Sequence, residues 1–429
     1  MKKFTAALLA ALIVMSAGCT NSTPSDSTSE SQSSVTNSLP EEEQPSTSDT
    51  TSETAPEPDY SSLSPEEIYD LMVQNSLITT GDTARMANVL KKAENGEEIT
   101  IAFIGGSITY GMTVAPAEPE KCWAYLTYRY LCEKYPQAKI NYVNAGISGT
   151  PSILGNARLE RDVLAYKPDI CFVEFAVNDG TGTDYKNSYE SLVRTLLADE
   201  NDIAVVLFFT IIESGHTCQP HMSQIGENYN LPMISEPNSL WKEITEGRMT
   251  WADYSDDQSH PNEYGHKLVS DFMKYYFEQV CAEAENAPAV DKTLPEPVFT
   301  DKYQTMHFID SEKLEVTELN GFKPDNVHEY FNNGWSYKGE TGASIKFSIT
   351  CKTLELIYKE NNSKIYADAD IYVDGEKRMT VSSNSPDGWA NPATAFIIDS
   401  DEVAEHEVEI VVPEGQKGYF AVLGFGYCD

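Results

Sequence analysis

The sequence predicts an α/β domain, with a parallel sheet flanked by helices on both faces, followed by an all-β sandwich. Two observations support this prediction. Over residues 99–284, short apolar runs alternate with stretches of helical periodicity, which is the pattern of a parallel sheet covered on both faces. Beyond residue 298 the helical period disappears and apolar residues alternate with polar ones, which indicates strands and a two-sheet sandwich.

Residues 1–19 have the features of an export signal. A short basic region precedes the apolar run at 4–15, which is too short to span a bilayer as a mature helix. Small residues then precede Cys19, and this arrangement resembles a bacterial lipoprotein signal, although Ser16 stands where an aliphatic residue is commoner. We therefore expect an extracytoplasmic protein anchored to the cell membrane by lipid on Cys19, with plain secretion as the alternative.

The rest of the chain divides into a linker and two domains. Residues 20–62 consist mainly of Ser, Thr, Pro and Glu and contain no Lys or Arg, so we predict a disordered linker that cannot bury enough surface to fold. A capping-box pattern at Ser64 marks the start of the first domain, at 63–287. After a Pro-rich stretch, residues 298–429 form the predicted β-sandwich.

Strands and helices alternate within the first domain. Strands are predicted at residues 99–106, 139–145, 169–176 and 203–210, and helices at about 82–94, 121–135, 156–166, 185–199 and 262–284. Because ligands bind at the carboxyl ends of the strands in such sheets, the residues that follow each strand are the candidates for a functional site.

A serine follows the first of these strands. Gly105 and Gly106 precede Ser107 and permit a tight turn, which would expose the serine hydroxyl and backbone N–H at the edge of the sheet. Taken alone, the motif is more typical of an ordinary glycine-rich turn between a strand and a helix.

Candidate hydrogen-bond donors follow the next two strands. The loop at 144–150 contains Gly146 and Gly149, and either can offer its backbone N–H to a developing oxyanion. The loop after the third strand contains Asn178, whose side-chain amide can donate to the same oxyanion. Each loop, taken alone, is also consistent with an ordinary turn.

A carboxylate and an imidazole lie three residues apart before the last helix. An imidazole can accept a proton near neutral pH, and a serine is a poor nucleophile until a base takes its proton, so His260 is the candidate base. Asp257 is spaced to hold the imidazole in the useful tautomer, and its neighbour Asp256 is the alternative. A single loop of this kind is otherwise typical of a surface histidine or a weak metal ligand.

The four motifs occur in the order and at the strand positions of the SGNH, or GDSL-like, hydrolases, and the sequence resembles that family over residues 99–284. The resemblance implies the family's three-layer α/β fold and a serine esterase that works through an acyl-enzyme. It also implies that Ser107 is the nucleophile, that His260 is the general base and that Asp257 orients His260.

The same resemblance implies an oxyanion hole formed by the N–H groups of Ser107 and Gly149 and the amide of Asn178, with Gly146 as the second candidate glycine. No metal or organic cofactor is required by this chemistry. The first motif departs from the family's commoner Gly-Asp-Ser, because Gly106 stands where Asp is usual. None of the implied roles depends on that Asp.

Charge and cysteine content narrow the possible partners. The formal net charge is -37, so a nucleic-acid partner is not expected, because binding phosphates needs clustered Lys and Arg. No basic amphipathic stretch favours an anionic membrane surface, so the lipid anchor is the expected membrane contact.

The cysteine spacings show no zinc pattern, and Cys351 and Cys428 could pair in the last domain. The oligomeric state is left open.

The predicted sandwich carries Trp335 and Trp389, which could stack on sugar rings or belong to its core. An exported SGNH enzyme joined to a β-sandwich resembles bacterial carbohydrate esterases that remove acetyl groups from xylan or mannan. We therefore expect an acetylated polysaccharide as the substrate and a possible carbohydrate-binding role for the sandwich. The alternatives are a peptidoglycan O-acetylesterase, a lipase or thioesterase acting on acyl chains, and a non-catalytic surface lipoprotein that binds glycans.

Overall fold

A computed structural model describes residues 63–281, 289–386 and 388–429. The predicted signal peptide, the lipidation site Cys19 and the linker lie outside the described residues and stay predictions. No helix within the described ranges is both long and apolar enough to cross a bilayer.

The first domain is built on a six-stranded sheet. Its strands are β1 (Leu77–Thr79), β2 (Glu98–Gly105), β3 (Lys139–Gly146), β4 (Ile170–Glu174), β5 (Ala204–Phe209) and β6 (Met233–Ser235). Their order is β1-β6-β5-β4-β2-β3, and all neighbours are parallel except β1, which pairs antiparallel with β6. The predicted parallel sheet is confirmed. The short strands β1 and β6 were not predicted from the sequence, because three residues are too few to show a periodic pattern.

Helices cover both faces of this sheet. They are α1 (Pro65–Asn75), α2 (Ala84–Glu94), α3 (Ser107–Tyr110), α4 (Trp123–Lys134), α5 (Ser152–Ala157), α6 (Leu159–Asp162), α7 (Thr183–Ala198), α8 (Gln219–Asn228), α9 (Leu240–Thr245), α10 (Trp251–Tyr254) and α11 (Glu263–Cys281). The single helix predicted at 156–166 is wrong, because the helical backbone breaks at Arg158, between α5 and α6, where the guanidinium is fully buried.

Successive residues of β2 face two separate apolar cores, as the alternation of a strand requires. Phe103 belongs to the core formed with α4 and α11, where its ring packs edge-on against Trp123 at 5.2 Å between centroids. Ile104 belongs to the opposite core, formed with α7 and α8, which includes Leu192 and Met222. The domain therefore has the three-layer arrangement of helices, sheet and helices.

The second domain is entirely antiparallel. Its strands are β7 (His307–Ile309), β8 (Val316–Asn320), β9 (Lys323–Asp325), β10 (Gly334–Gly339), β11 (Ala343–Asn361), β12 (Asp368–Val373), β13 (Glu376–Ser382), β14 (Trp389–Val412) and β15 (Gly418–Cys428). The order β13-β12-β14-β11-β15-β10-β9 is continuous, with β7 on β15 and β8 on β11. The predicted all-β domain is confirmed, and its strands belong to one continuous sheet.

Two long strands let this sheet form two layers. The pairing of β11 with β14 shifts register between Cys351 and Thr353, and β11 pairs with β8 before that shift and with β15 after it. Side chains from both halves of β11, such as Ile345 and Leu354, belong to a single buried core. The two halves of the sheet therefore enclose a sandwich-like core.

The two domains share an apolar cluster. Ile147 and Leu154, from the segment after β3, pack with Phe331 and Leu423 of the second domain. The second domain is thus packed against the loop and helix that follow the second strand of the predicted site.

The seven cysteines of the described residues are free thiols, and five of them are buried. Cys351 and Cys428, which the sequence left as a possible pair, are both buried and unpaired. Burial raises the pKa of Cys351 to about 11 and that of Cys428 to about 12.

Candidate active site

Ser107 begins α3 at the carboxyl end of β2, which lies between β4 and β3. The two glycines before it are needed because their neighbours approach too closely for a side chain. A Cβ on Gly105 would lie 2.4 Å from the backbone oxygen of Glu174, and a Cβ on Gly106 would lie 1.9 Å from Oδ1 of Asn178. The turn places Ser107 in the floor of a cleft, where it is 8% exposed.

A chain of hydrogen bonds runs from this serine to a carboxylate. Oγ of Ser107 lies 2.9 Å from Nε2 of His260, and Nδ1 of His260 lies 2.8 Å from Oδ2 of Asp257. This geometry allows the imidazole to take the proton of the serine hydroxyl while the carboxylate fixes the orientation of the ring. The structure therefore brings together the three residues that the sequence motifs selected.

Asp257 is held by the backbone of its own loop. Its Oδ1 accepts hydrogen bonds from the backbone N–H groups of Ser259 and His260, both at 2.7 Å. Partial burial alone would raise its pKa, but the hydrogen bonds from the His260 side chain and from these two N–H groups hold the pKa of Asp257 below its usual value. The carboxylate that contacts the imidazole is thus that of Asp257, not that of Asp256.

The two candidate glycines after β3 differ in what surrounds them. Gly146 donates its N–H to Oδ1 of Asn144 at 2.9 Å, and a Cβ on it would lie 2.3 Å from the backbone nitrogen of Tyr110, so it is packed inside the protein. Gly149 lines the cleft with a φ of 70°, and the nearest atom to its missing Cβ is Nδ2 of Asn391, at 3.8 Å. Only Gly149 of the two therefore faces the cleft.

Asn178 lies beside Gly106 and also lines the cleft. The next residue, Asp179, is buried and accepts hydrogen bonds from the backbone N–H of Ser152 at 2.7 Å and from its hydroxyl at 2.6 Å. Burial raises the pKa of Asp179 to about 8. These bonds tie the loop that carries Asn178 to the start of α5.

A second buried carboxylate lies behind the serine. Glu174, at the end of β4, accepts hydrogen bonds from the hydroxyls of Thr109 and Thr210, each at 2.8 Å, and burial raises its pKa. Thr109 belongs to α3, so this bond holds the helix of Ser107 against the sheet. Sequence reasoning missed this role, although an acidic residue inside an apolar predicted strand was an available signal.

The cleft above Ser107 has a volume of about 1260 Å³ and is lined by both domains. The first domain supplies the loops after β2, β3 and β4. The second domain supplies a facing wall that includes His328, Tyr330, Lys359, Glu360, Trp389 and Asn391. These residues lie far from the four motifs along the chain, so the sequence did not indicate that they would line the same cleft.

The two tryptophans of the second domain have different environments. Trp335 is 2% exposed and belongs to the core, whereas Trp389 is 80% exposed and lines the cleft. The backbone around Trp389 is fixed, because its N–H donates to Oδ1 of Asn391 at 2.6 Å and Nδ2 of Asn391 donates to Glu360 at 3.1 Å. Ala390, between them, has a φ of 67°, which is unusual for a residue with a Cβ. The cleft thus carries a flat aromatic surface on a constrained segment.

Within the described ranges, no cluster of three or more His, Cys, Asp or Glu residues is arranged to hold a metal ion.

Residues 103–268 match the GDSL-like lipase/acylhydrolase family. This stretch contains Ser107, Gly149, Asn178, Asp257 and His260, and it includes most of the six-stranded sheet. Residues 103–268 are therefore a GDSL-like hydrolase domain. The protein is a carboxylic ester hydrolase in which this α/β domain is followed by an antiparallel β domain.

The protein is similar to two esterases. It is 26% identical to an acetylxylan esterase of Geobacillus stearothermophilus over 211 residues, which are 42% of this chain and 93% of that enzyme. It also resembles the crystal structure of a two-domain esterase active on acetylated mannans, solved with mannopentaose, with a TM-score of 0.76 and 28% identity over 83% of this chain and 98% of that one. A second crystal structure of a two-domain esterase active on acetylated mannans gives the same TM-score and identity.

Proposed function

We propose that this hydrolase removes O-acetyl groups from a polysaccharide of the xylan or mannan type, using Ser107, His260 and Asp257 in an acyl-enzyme mechanism. One observation carries the proposal. The hydrogen-bonded chain from Ser107 to Asp257 lies in the floor of a cleft whose opposite wall presents the exposed indole of Trp389.

The first half of the reaction transfers the acetyl group to the enzyme. His260 takes the proton of Ser107 as Oγ attacks the carbonyl carbon of the acetyl ester. The tetrahedral intermediate then collapses, and His260 gives its proton to the departing sugar oxygen. Asp257 stays ionised and stabilises the imidazolium that forms between these steps.

The second half releases acetate. A water molecule gives a proton to His260 while its oxygen attacks the carbonyl carbon of the acetyl-serine. When this second tetrahedral intermediate collapses, the bond to Oγ breaks, acetate leaves and the proton returns from His260 to Ser107. The catalyst is thereby restored without any cofactor.

The negative charge of each tetrahedral intermediate needs hydrogen-bond donors. We propose the backbone N–H groups of Ser107 and Gly149 and the side-chain amide of Asn178. The position of Gly149 in the cleft supports this choice over Gly146, whose N–H is already bonded to Asn144. Removal of one such donor typically lowers turnover by about 10²–10³-fold.

The cleft suits a sugar polymer better than a long acyl chain. Its second-domain wall combines the indole of Trp389 with the charged side chains of Lys359 and Glu360. Aromatic faces stack on sugar rings and polar groups bind their hydroxyls, whereas an acyl chain would favour a wholly apolar groove. The activities of the two similar esterases, on xylan and on acetylated mannans, support the same substrate class.

We further propose that the chain acts outside the cytoplasm, tethered through lipid on Cys19 by the linker of residues 20–62. The lipoprotein-like signal at 1–19 supports this location. A surface enzyme would meet peptidoglycan as well as extracellular plant polysaccharide, so acetylated peptidoglycan is included as a substrate in the test. Radiolabelled palmitate incorporated by the wild type and lost in Cys19→Ala would verify the anchor, and label retained in the variant would refute it.

The decisive experiment measures acetate release by the purified protein from acetylated xylan, acetylated glucomannan and acetylated peptidoglycan, with Ser107→Ala as the matched inactive variant. Release from a plant glycan that is lost in the variant supports the proposal and names the polymer. Release of acetate from peptidoglycan alone would show that acetylated peptidoglycan, not a plant glycan, is the substrate. Activity confined to long acyl esters would overturn the carbohydrate assignment.

A further inference from the structure

An arginine of the first domain packs over two adjacent aromatic rings of the second. The guanidinium carbon of Arg161, in α6, lies 4.7 Å from the ring centroid of Phe308 and 4.6 Å from that of Phe331. Phe308 belongs to β7, and Phe331 is 2% exposed within the apolar cluster shared by the two domains. The two ring centroids are 5.7 Å apart, so the guanidinium packs over both rings from one side, and these contacts restrict its position.

This arginine is bonded in turn to the next residue of α6. Nε and Nη2 of Arg161 donate to the two carboxylate oxygens of Asp162, at 2.6 and 2.9 Å. Oδ2 of Asp162 also accepts from Nη1 of Arg158, at 3.2 Å. The pKa of Asp162 would be raised by burial, but the two guanidinium groups keep it below its usual value. The carboxylate is therefore an ionised link between two arginines.

The second arginine reaches the ends of the strands that carry the proposed oxyanion donors. Arg158 is fully buried, and it donates to the backbone oxygens of Ala145 at 2.7 Å and Gly105 at 3.3 Å. Gly105 lies two residues before Ser107, and Ala145 lies four residues before Gly149. The guanidinium of Arg158 therefore lies behind both loops.

We propose that the second domain holds the oxyanion donors in position through this series of contacts, from Phe308 and Phe331 through Arg161 and Asp162 to Arg158. Arg161 and Asp162 are then positioning residues for ester hydrolysis, and the second domain supports turnover even of substrates too small to reach Trp389. The inference rests on the proposed oxyanion hole.

The physical reason is the strictness of oxyanion geometry. Donors stabilise the developing charge only within about 2.7–3.1 Å of its position, and a misplacement of about 1 Å can lower the rate by about 10²-fold. Arg158 fixes two carbonyls at once because its donors form a rigid fork. Its own orientation depends on Asp162, which depends on Arg161, and Arg161 depends on the two rings.

The test uses p-nitrophenyl acetate, whose acyl group is the proposed one and which makes no polymer contacts. In the full protein, Arg161→Ala and Asp162→Asn are each expected to lower kcat by about tenfold with KM nearly unchanged, which lies within the range found for residues that act through others. The milder Phe331→Leu keeps an apolar side chain but loses one ring face, and it is expected to lower kcat less. Melting temperatures establish that each variant is folded.

His307→Ala is the matched control. His307 also joins the second domain to α6, but it does so through a hydrogen bond of 3.0 Å between its Nδ1 and the carboxylate of Glu160, not through Asp162. It is expected to keep the kcat of the wild type. An equal loss of kcat in this variant would overturn the proposed route, because the effect would then come from domain docking in general.

The double variant Arg161→Ala/Asp162→Asn distinguishes a series from independent effects. If the two residues act in series, kcat should be little lower in the double variant than in the worse single variant. Losses that multiply, or a wild-type kcat in Arg161→Ala, would overturn the inference while leaving the esterase proposal intact. A wild-type protein that does not hydrolyse the ester would instead count against the proposed function itself.

Discussion

Substitution of Gly106 by Ala is expected to disable the proposed oxyanion hole without touching the serine, histidine or aspartate. The new Cβ would lie 1.9 Å from Oδ1 of Asn178 and 2.6 Å from its Cγ. Real Cβ atoms do not approach neighbours closer than 3.0 Å, so the amide must withdraw by at least about 1 Å. A donor displaced by that distance is lost to the transition state, which costs about 10²-fold in kcat.

Initial rates on p-nitrophenyl acetate measure this effect, with kcat and KM determined separately. Asn178→Ala should show a loss of similar size, since it removes the same donor. In Gly106→Ala/Asn178→Ala the clash disappears, so the double variant should be no worse than Asn178→Ala alone. A kcat of Gly106→Ala within about threefold of the wild type would contradict the proposed displacement of the Asn178 amide. So would a double variant in which the two reductions of kcat multiply.

Three further predictions concern the cleft and its buried carboxylates. Trp389→Ala should raise KM for an acetylated oligosaccharide by about 2- to 10-fold and leave p-nitrophenyl acetate kinetics unchanged; an equal change on both substrates would contradict a sugar-stacking role. Asp257→Asn should lower kcat by about 10³–10⁴-fold with little change in KM, because the ring of His260 loses its orienting carboxylate; a loss below tenfold would count against that role. Burial raises the pKa of Asp179 to about 8 in the folded protein, whereas the value in an unfolded chain is near 4. The folded state therefore holds the proton of Asp179 more tightly than the unfolded state does. This contribution to the stability of the fold is complete below about pH 4 and is lost as pH rises through about 8. The melting temperature of Asp179→Asn should therefore fall less than that of the wild type between pH 6 and 9, and parallel curves would show that Asp179 does not titrate in this range.

The parallel sheet and its candidate residues could be found from sequence because both leave local patterns. Buried parallel strands are short apolar runs, and the loops after them must converge on one edge of the sheet. Ser107 and Asn178 follow such strands, His260 lies in the loop before the last helix, and the structure brings all three to one cleft. Their catalytic roles stay predictions. The preference for Gly149 over Gly146 came from the family resemblance, and the packing supports it, because Gly149 lines the cleft whereas the N–H of Gly146 is bonded to Asn144.

The contribution of the second domain could not be found in the same way. The wall around Trp389 meets Ser107 only because the domains pack together, and no pattern along the chain encodes that contact. Arg158 illustrates the same limit, since its spacing fits a helix surface, whereas the structure shows a buried guanidinium bonded to two strand ends. Side chains that act across long sequence separations become visible only in three dimensions.

The unpaired cysteines have a practical consequence for how this enzyme tolerates its surroundings. The loops of the folded chain are not covalently closed by disulfides among the described residues, so reductant should leave its melting temperature unchanged. Five of the seven thiols are buried, and the raised pKa values of those such as Cys171 and Cys218 keep them in the unreactive protonated form. Oxidative cross-linking would therefore act mainly on the unfolded chain, and refolding after heating should be more complete under reducing than under aerobic conditions.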